Sequence, residues 1–495
     1  MKLSLFKNNS LAKDISLLTV SKIITSILGL ITSLLLARYM SLFEYGTYSS
    51  MLLVINLASS IAMLGLPNCV GYFLGKNKEK IDRQRFISVY YTLNTILSIS
   101  IGLVMLGLIV PMQLYFKNTS ISEYWFFLLL FPWSSIINSS LEHVLVAYSK
   151  TKILLSFRTI ESLLVLTNLV LTIVFKLNIK TYILIYSVIY VVFAIGVYIV
   201  VRNVAGKLRI SFNKQLIIDI LKFSLPIGLA GAIGTLNIEI DKMVIGAFFS
   251  TDELAIYTNA AKELPITIIS SALTGVMLPR MSRAIHENKH YLALELWKKI
   301  ILISFSIYMI AMFGCIIYAK EVMTILYSEK YLTGIDIFRV YCIVLLFRFT
   351  YFGILLNSYG KTKLIFFSSI FSLAINAVLN FALFFVFGPI GCALSTIIAI
   401  ASMSIFQLYW SCKISSTSFK NIFPWGKMLR IIMLNFAFAI LFYGIKRDLS
   451  LEIYIGELWE SVVLGAMWFV LYYIVIIVFR TFFLITGKSE DIKLT

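Results

Sequence analysis

Charge is scarce in this chain. Of its 495 residues only 14% are Asp, Glu, Lys or Arg, against roughly a quarter in an ordinary soluble domain. Set beside 60% hydrophobic residues and a mean hydropathy of +0.91, that shortage excludes a soluble globular fold. Histidine is scarcer still, and His143, His286 and His290 stand in no arrangement suited to catalysis. The five cysteines, Cys69, Cys315, Cys342, Cys392 and Cys412, are scattered through apolar stretches. Without a CxxC or Cys/His cluster they read as buried hydrophobes and not as a metal site or disulfide framework. The phosphate-cradling GxxxxGK[ST] loop is missing, so ATP hydrolysis by this chain is not expected. No long polar segment is present to house a catalytic domain outside the membrane, and the chain does not read as an enzyme.

What fills the chain is a series of apolar segments. Each is about 20 residues long, enough to cross roughly 30 Å of hydrocarbon. Fourteen are expected, the first at 15–37 and the last at 459–482, with spans eight and ten at 254–279 and 335–357. The first run is longer than the core of a cleaved signal peptide and reads as a span. The net charge of +19 invites a nucleic-acid reading, which the placement of the charges opposes. Most Lys and Arg residues fall in alternate connections, including Lys76, Lys78, Lys80, Arg83 and Arg85, and Arg202, Lys207, Arg209, Lys214 and Lys222. That asymmetry predicts both termini on the cytoplasmic side, with the basic excess facing anionic lipid.

The chain also repeats itself. Tyr148-Ser149-Lys150-Thr151-Lys152 returns as Tyr359-Gly360-Lys361-Thr362-Lys363, and Ser41-x-x-Glu44-x-x-x-Tyr48 returns as Ser250-x-x-Glu253-x-x-x-Tyr257. Both pairs are offset by about 210 residues, close to half the chain. Six spans per repeat is an even number, so the repeats enter the membrane in the same direction. Duplicated halves of this kind are the pattern of secondary transporters. The expected fold is all-α and polytopic: two parallel six-helix bundles around a central cavity, plus two C-terminal helices. The boundaries are an N-lobe at 1–205, a cytoplasmic linker at 206–222 forming a surface helix, a C-lobe at 223–412, and an appendage with a cytoplasmic tail at 413–495. Pro132, Pro226 and Pro265 are candidate bends.

Three segments carry a family resemblance. Leu36-Ala37-Arg38-Tyr39-Met40-Ser41-Leu42-Phe43-Glu44-Tyr45-Gly46 resembles the end of the first helix and first outward loop of the Wzx-type polysaccharide flippases. These belong to the multidrug/oligosaccharidyl-lipid/polysaccharide superfamily. Ile240-Asp241-Lys242-Met243-Val244-Ile245-Gly246 through Ala261-Lys262 is similar to the family's seventh-to-eighth helix segment, and Phe387-Gly388-Pro389-Ile390-Gly391 to its eleventh-to-twelfth turn. The resemblance covers about 1–412. It implies movement of undecaprenyl-pyrophosphate-linked oligosaccharide from the inner to the outer leaflet of a bacterial cytoplasmic membrane, by alternating access. It carries no cofactor; coupling to a proton or sodium gradient is an expectation. The partners implied are the lipid-linked glycan, membrane lipid, a polysaccharide polymerase and a chain-length regulator, with a monomer as the transporting unit.

Charges at membrane depth cost about 2.5–3.5 kcal/mol each on insertion scales and so mark candidate sites. Lys22, Arg158, Lys262, Arg348 and Lys242 are the candidate cations for pyrophosphate, with Arg348, near the middle of span ten, the foremost. Glu161, Asp241 and Glu263 are candidates for cation coupling or for ion pairs. Arg158 with Glu161, and Glu239 with Lys242, have i,i+3 spacing suited to internal pairing. On a helix Lys262 and Glu263 would point about 100° apart, so that only one would face a cavity. A lipid II flippase of the same superfamily is the rival reading. Those proteins carry an arginine five residues before the proline of the Glu263-Leu264-Pro265 segment, where this chain has Ala260. A membrane polymerase or ligase is the rival of a different class.

Overall fold

The computed structural model describes residues 9–76, 79–264, 266–449 and 457–479. The described residues are helical with short connections and contain no strand. In chain order the first helices are α1 (Asn9–Tyr39), α2 (Leu42–Ala62), α3 (Leu66–Lys76), α4 (Lys80–Gly107), α5 (Ile109–Tyr115) and α6 (Trp125–Ala147). Then come α7 (Thr151–Val174), α8 (Ile179–Ala205), α9 (Lys214–Phe248), α10 (Thr251–Ala260), α11 (Thr267–His286) and α12 (His290–Ile317). The remainder are α13 (Ala319–Leu326), α14 (Ile335–Cys342), α15 (Leu345–Arg348), α16 (Ile354–Ser358), α17 (Thr362–Phe387), α18 (Pro389–Ile414), α19 (Phe419–Ile422), α20 (Trp425–Leu449) and α21 (Glu457–Val478).

Both repeated sequence motifs have a local structural cause. Ser41 and Glu44 form a capping box at the start of α2. Ser41 Oγ accepts the Glu44 N–H at 3.2 Å, and Glu44 Oε2 accepts the Ser41 N–H at 2.8 Å. Ser250 and Glu253 do the same at α10, at 3.2 and 2.9 Å. Each box satisfies two N–H groups that a helix start leaves unpaired. The other motif is a helix stop. The Lys150 N–H reaches back to Leu145 O at 2.8 Å, and the Lys361 N–H to Leu356 O at 2.7 Å. The residue before each lysine is left-handed, Ser149 at φ 54° and Gly360 at φ 70°. That six-to-one closure ends a helix and restarts the chain as the next span.

Twelve helical segments are long and apolar enough to cross a membrane. Two of the fourteen expected spans, 254–279 and 335–357, are not among the twelve. The first divides into α10 and α11, with residues 261–264 outside helix; the second divides into α14, α15 and α16. With these two broken segments the architecture comes to about fourteen crossings. Pro132 lies inside α6 and Pro226 inside α9, while Pro265 lies outside the described residues. The linker expected as a surface helix is instead extended over Gly206–Asn213, and α9 runs unbroken from Lys214. Its backbone is tied to α4. The Arg209 and Ser211 N–H groups reach Ser88 Oγ and Thr92 Oγ1 at 3.4 and 3.2 Å, and Gln84 Nε2 donates to Lys207 O at 2.9 Å. Those bonds replace the ones a helix would make.

The chain forms two compact units, Met1–Ile256 and Tyr257–Thr495, with the boundary inside α10. The sequence boundary at 206–222 marks duplication; packing groups α9 with the first unit, against α2 and α3. In the first unit α1 lies on α7, and α6 lies between α4 and α8. Its core holds Phe73, Phe86, Tyr90, Ile137, Leu141 and Val197. In the second unit α17 pairs with α18, while α11, α12, α16 and α20 surround Trp297, Phe305, Phe349 and Phe423. The appended α20 and α21 have their own core with the C-terminal part of α12, where Phe442 stacks on Trp468 at 5.6 Å. Elsewhere the apolar faces point outward. Leu184, Val188, Val192, Ile195 and Ile199 form an exposed stripe on α8, which suits a helix bathed in lipid.

The contact of α9 with the turn before α3 leaves no room for side chains. A Cβ on Gly228 would lie 2.3 Å from the Leu64 carbonyl carbon, and one on Gly65 (φ +69°) would lie 2.4 Å from Ser224 O. Gly228→Ala is expected to lower stability by about 1–3 kcal/mol, the usual cost of overpacking. Thermal unfolding in detergent checks this, and an unchanged midpoint contradicts it.

Candidate functional site

The first unit spends its membrane-depth charges on itself. On α7 the Arg158 guanidinium meets Glu161 at 2.8 Å and donates to Asn138 O on α6 at 2.8 Å. Asn138 Nδ2 in turn donates to Glu161 Oε1 at 3.2 Å and to Tyr190 O on α8 at 3.1 Å. Three helices are tied through one network, and the Glu161 side chain is only 6% exposed. On α9 Lys242 is paired with Glu239 at 2.7 Å. Asp241 is buried and accepts the Lys242 N–H at 2.8 Å. Lys22 on α1 differs. It reaches Glu142 on α6 at 2.8 Å while its own side chain is 62% exposed, so it neither snorkels alone nor is locked away.

The second unit brings Lys262, Glu263 and Arg348 to one place. Arg348 is the last residue of α15 and forms an ion pair with Glu263. Both side chains are about a third exposed, at 30% and 35%. They line a small pocket, with room for about one water, together with Lys262, Thr267 and Tyr341. Arg348 Nε is buried and has no hydrogen-bond partner among the described residues, so the guanidinium keeps an unused donor. Lys262 and Glu263 share this cavity because 261–264 have left the helix. The 100° separation expected of helical neighbours therefore does not apply.

Why the backbone breaks here is partly legible. Pro265 has no N–H to give and disfavours helix in the residue before it. Span ten has no proline. Its residues 343–347 instead close short turns, the Ile343 N–H bonding Val340 O and the Phe347 N–H bonding Val344 O, at 3.0 and 2.8 Å. The segment beyond Arg348 is held from the side, since Trp297 Nε1 donates to the buried Thr350 Oγ1 at 2.9 Å. Phe349 packs edge-on against Phe305 at 4.9 Å. Non-helical backbone at membrane depth is tolerated where protein buries it or where it lines a wet cavity, and discontinuous helices are where transporters place their binding sites.

Two features escaped the sequence reading. Glu142, the partner of Lys22, lies 120 residues further along the chain (142 − 22), and no spacing rule connects them. The buried pair of Glu321 and Lys446 joins α13 to α20; only their position at span ends marked them.

Comparison with known proteins fits this architecture. Residues 35–336 match the family described as "Polysaccharide biosynthesis protein". An uncharacterized membrane protein of Methanocaldococcus jannaschii is 26% identical over 211 residues, 42% of this chain and 48% of that protein. The match thus spans about half the length of that relative. A structure of the lipid II flippase MurJ in an inward closed conformation superposes with a TM-score of 0.67 at 16% identity, covering 94% of this chain and 99% of that one. An inward-facing multidrug resistance MATE family transporter gives 0.63 at 16% identity, covering 79% and 94%. A MOP superfamily transporter from Pyrococcus furiosus, described as having a binding pocket of reverse polarity, gives 0.57 at 16%, covering 82% and 96%. By this match and this fold, the chain belongs to the polysaccharide biosynthesis protein family and is a multi-pass membrane protein with the architecture of MOP superfamily transporters.

Proposed function

We propose that this protein is a flippase for polyprenyl-pyrophosphate-linked oligosaccharide, working by alternating access in the cytoplasmic membrane of a bacterium, with both termini inside. The observation that carries the reading is the meeting of two cations, Arg348 and Lys262, in one cavity where two spans lose their helical continuity. Pyrophosphate needs such a site. Arg offers a planar fork to two phosphate oxygens and Lys a point charge. Glu263 acts as the resident counter-ion of Arg348 and gives way when phosphate arrives. The sugar hydroxyls follow the pyrophosphate through a polar path, and the polyprenyl tail remains in lipid. Undecaprenyl is the carrier this reading names. A polymerase and a chain-length regulator would take the product, and a single chain would do the transport.

Glu263 is also the best placed acid for coupling to a proton or sodium gradient. Glu161 is consumed by Arg158 and Asn138, and Asp241 is buried. Flipping by vesicles at full rate with neither gradient would remove the coupling. Lys22 would guide the pyrophosphate on its way in. As a largely exposed pair with Glu142, it contributes no more than about 1 kcal/mol to stability. Lys22→Ala is therefore expected to unfold at the wild-type temperature yet transport less. A loss of folded protein instead would assign Lys22 a structural role.

The likeness to MurJ favours one second reading, transport of lipid II itself. Ala260, where the lipid II flippases carry arginine, weighs against it. Complementation separates the two. Rescue of surface glycan in a strain lacking its polysaccharide flippase supports the first reading. Rescue only of cells depleted of their lipid II flippase supports the second. A polymerase or ligase is disfavoured, because the longest connection expected outside, 319–334, is taken up by α13 and a short 3-10 turn.

A further inference from the structure

Two thiols that the sequence keeps apart meet in the second unit. Cys315 lies in the last turn of α12, and Cys342 is the final residue of α14, 27 residues further along the chain (342 − 315). α12 packs against α14, and the two side chains share a hydrogen bond, thiol to thiol. Both are free cysteines. The connection through α13 turns the chain back, so that the end of one span meets the start of the next.

The two thiols have different surroundings. Cys315 is half-buried and lines an apolar cavity of about 350 Å³ among α12, α13 and α21, beside Ile310, Val322 and Phe469. Cys342 is 3% exposed and lines the pocket of Arg348, Glu263 and Lys262. It is also the residue at which α14 ends and span ten first divides. The pair thus stands between a space that a small apolar reagent can enter and the segment that carries Arg348. With both termini inside, as proposed, this end of α12 faces outward, where disulfides form and persist.

We propose that Cys315 and Cys342 are a redox pair, and that exchange with a small disulfide oxidant joins them in a bond that pins α14 to α12. The Cys315 thiolate attacks the oxidant's disulfide, one oxidant thiol leaves, and a mixed disulfide forms. The Cys342 thiolate then attacks Cys315 Sγ and expels the second oxidant thiol. Two electrons and two protons pass from the cysteines to the two released thiols. The sulfurs close from hydrogen-bond contact to about 2.05 Å. Because span ten supplies Arg348, a staple at its first break holds that segment still and stops alternating access. This consequence for transport rests on the flippase reading; the bond itself does not.

The test treats the purified full chain with dipyridyl disulfide, alkylates the remaining thiols and maps the peptides without reduction. Wild type is expected to yield peptides joined through Cys315 and Cys342. Its unfolding temperature should rise, since a cross-link restricts the unfolded chain, and flipping in liposomes should be lost. Dithiothreitol is expected to reverse all three. Cys315→Ser is expected to form no joined peptide and to keep flipping in the oxidant; Cys315→Ala serves the same end if the serine variant folds poorly. Wild type without a joined peptide overturns the proposal, whether its thiols stay free or stop at mixed disulfides. So does a joined peptide that leaves unfolding temperature and flipping unchanged, or equal inhibition of Cys315→Ser by the oxidant. A joined peptide and a raised unfolding temperature in protein that flips no glycan even when reduced keep the redox pair and fail the flippase reading instead.

Discussion

Arg348→Ala is expected to abolish transport while leaving the protein in the membrane at wild-type level. Arg348 sits where span ten has lost its helix, its exposed face turned to the cavity shared with Lys262 and Glu263. Its ion pair is only two-thirds covered, so stability depends little on it. A phosphate-binding arginine is another matter. Losing a charge-assisted bidentate contact costs about 1.5–3 kcal/mol per bond, which makes a fall of at least about a hundredfold the expected result. Arg348→Lys keeps the charge without the fork, and an intermediate rate is expected. Surface glycan in a complemented strain, normalised to membrane protein, is the readout. Full activity of Arg348→Ala would remove this residue from the substrate path.

The opposite outcome is expected at Glu161. Its side chain is 6% exposed and holds both Arg158 and Asn138. Glu161→Ala leaves a guanidinium near the protein interior without its counter-charge, at a cost of about 3–5 kcal/mol. Loss of folded yield and a lower unfolding temperature are the expected results. The molecules that do fold should transport normally. Replacing Arg158 and Glu161 together by leucine removes both charges and is expected to recover most of the stability, because the desolvation cost vanishes with the attraction. A double variant no more stable than the single one would contradict this. The two arginines thus separate by surroundings, although the sequence presented both as charges at membrane depth.

Most of the architecture was legible before any coordinates. Apolar length gave the spans, and the repeated Ser-x-x-Glu and Tyr-x-Lys-Thr segments gave the duplication because each is a helix boundary whose chemistry is local. What the sequence obscured was continuity. Span ten is mostly apolar and shows no proline, so no helix breaker announces where it divides. The break is imposed by tertiary contacts such as Trp297 with Thr350. That break puts Lys262 and Glu263 on one cavity with Arg348, against the expectation for a helix. The linker was misread for a related reason: 206–213 is polar enough for a surface helix, yet its hydrogen bonds go to side chains of α4.

The central claim is that a cavity with two cations at a pair of broken spans carries a pyrophosphate-linked glycan across the bilayer. The most direct measurement places the purified protein in liposomes and follows a polyprenyl-pyrophosphate-linked oligosaccharide from one leaflet to the other, for wild type and Arg348→Ala. Transfer by wild type and none by Arg348→Ala is the predicted result. Equal transfer by both, or none by either in liposomes of intact protein under an imposed ion gradient, would contradict the account.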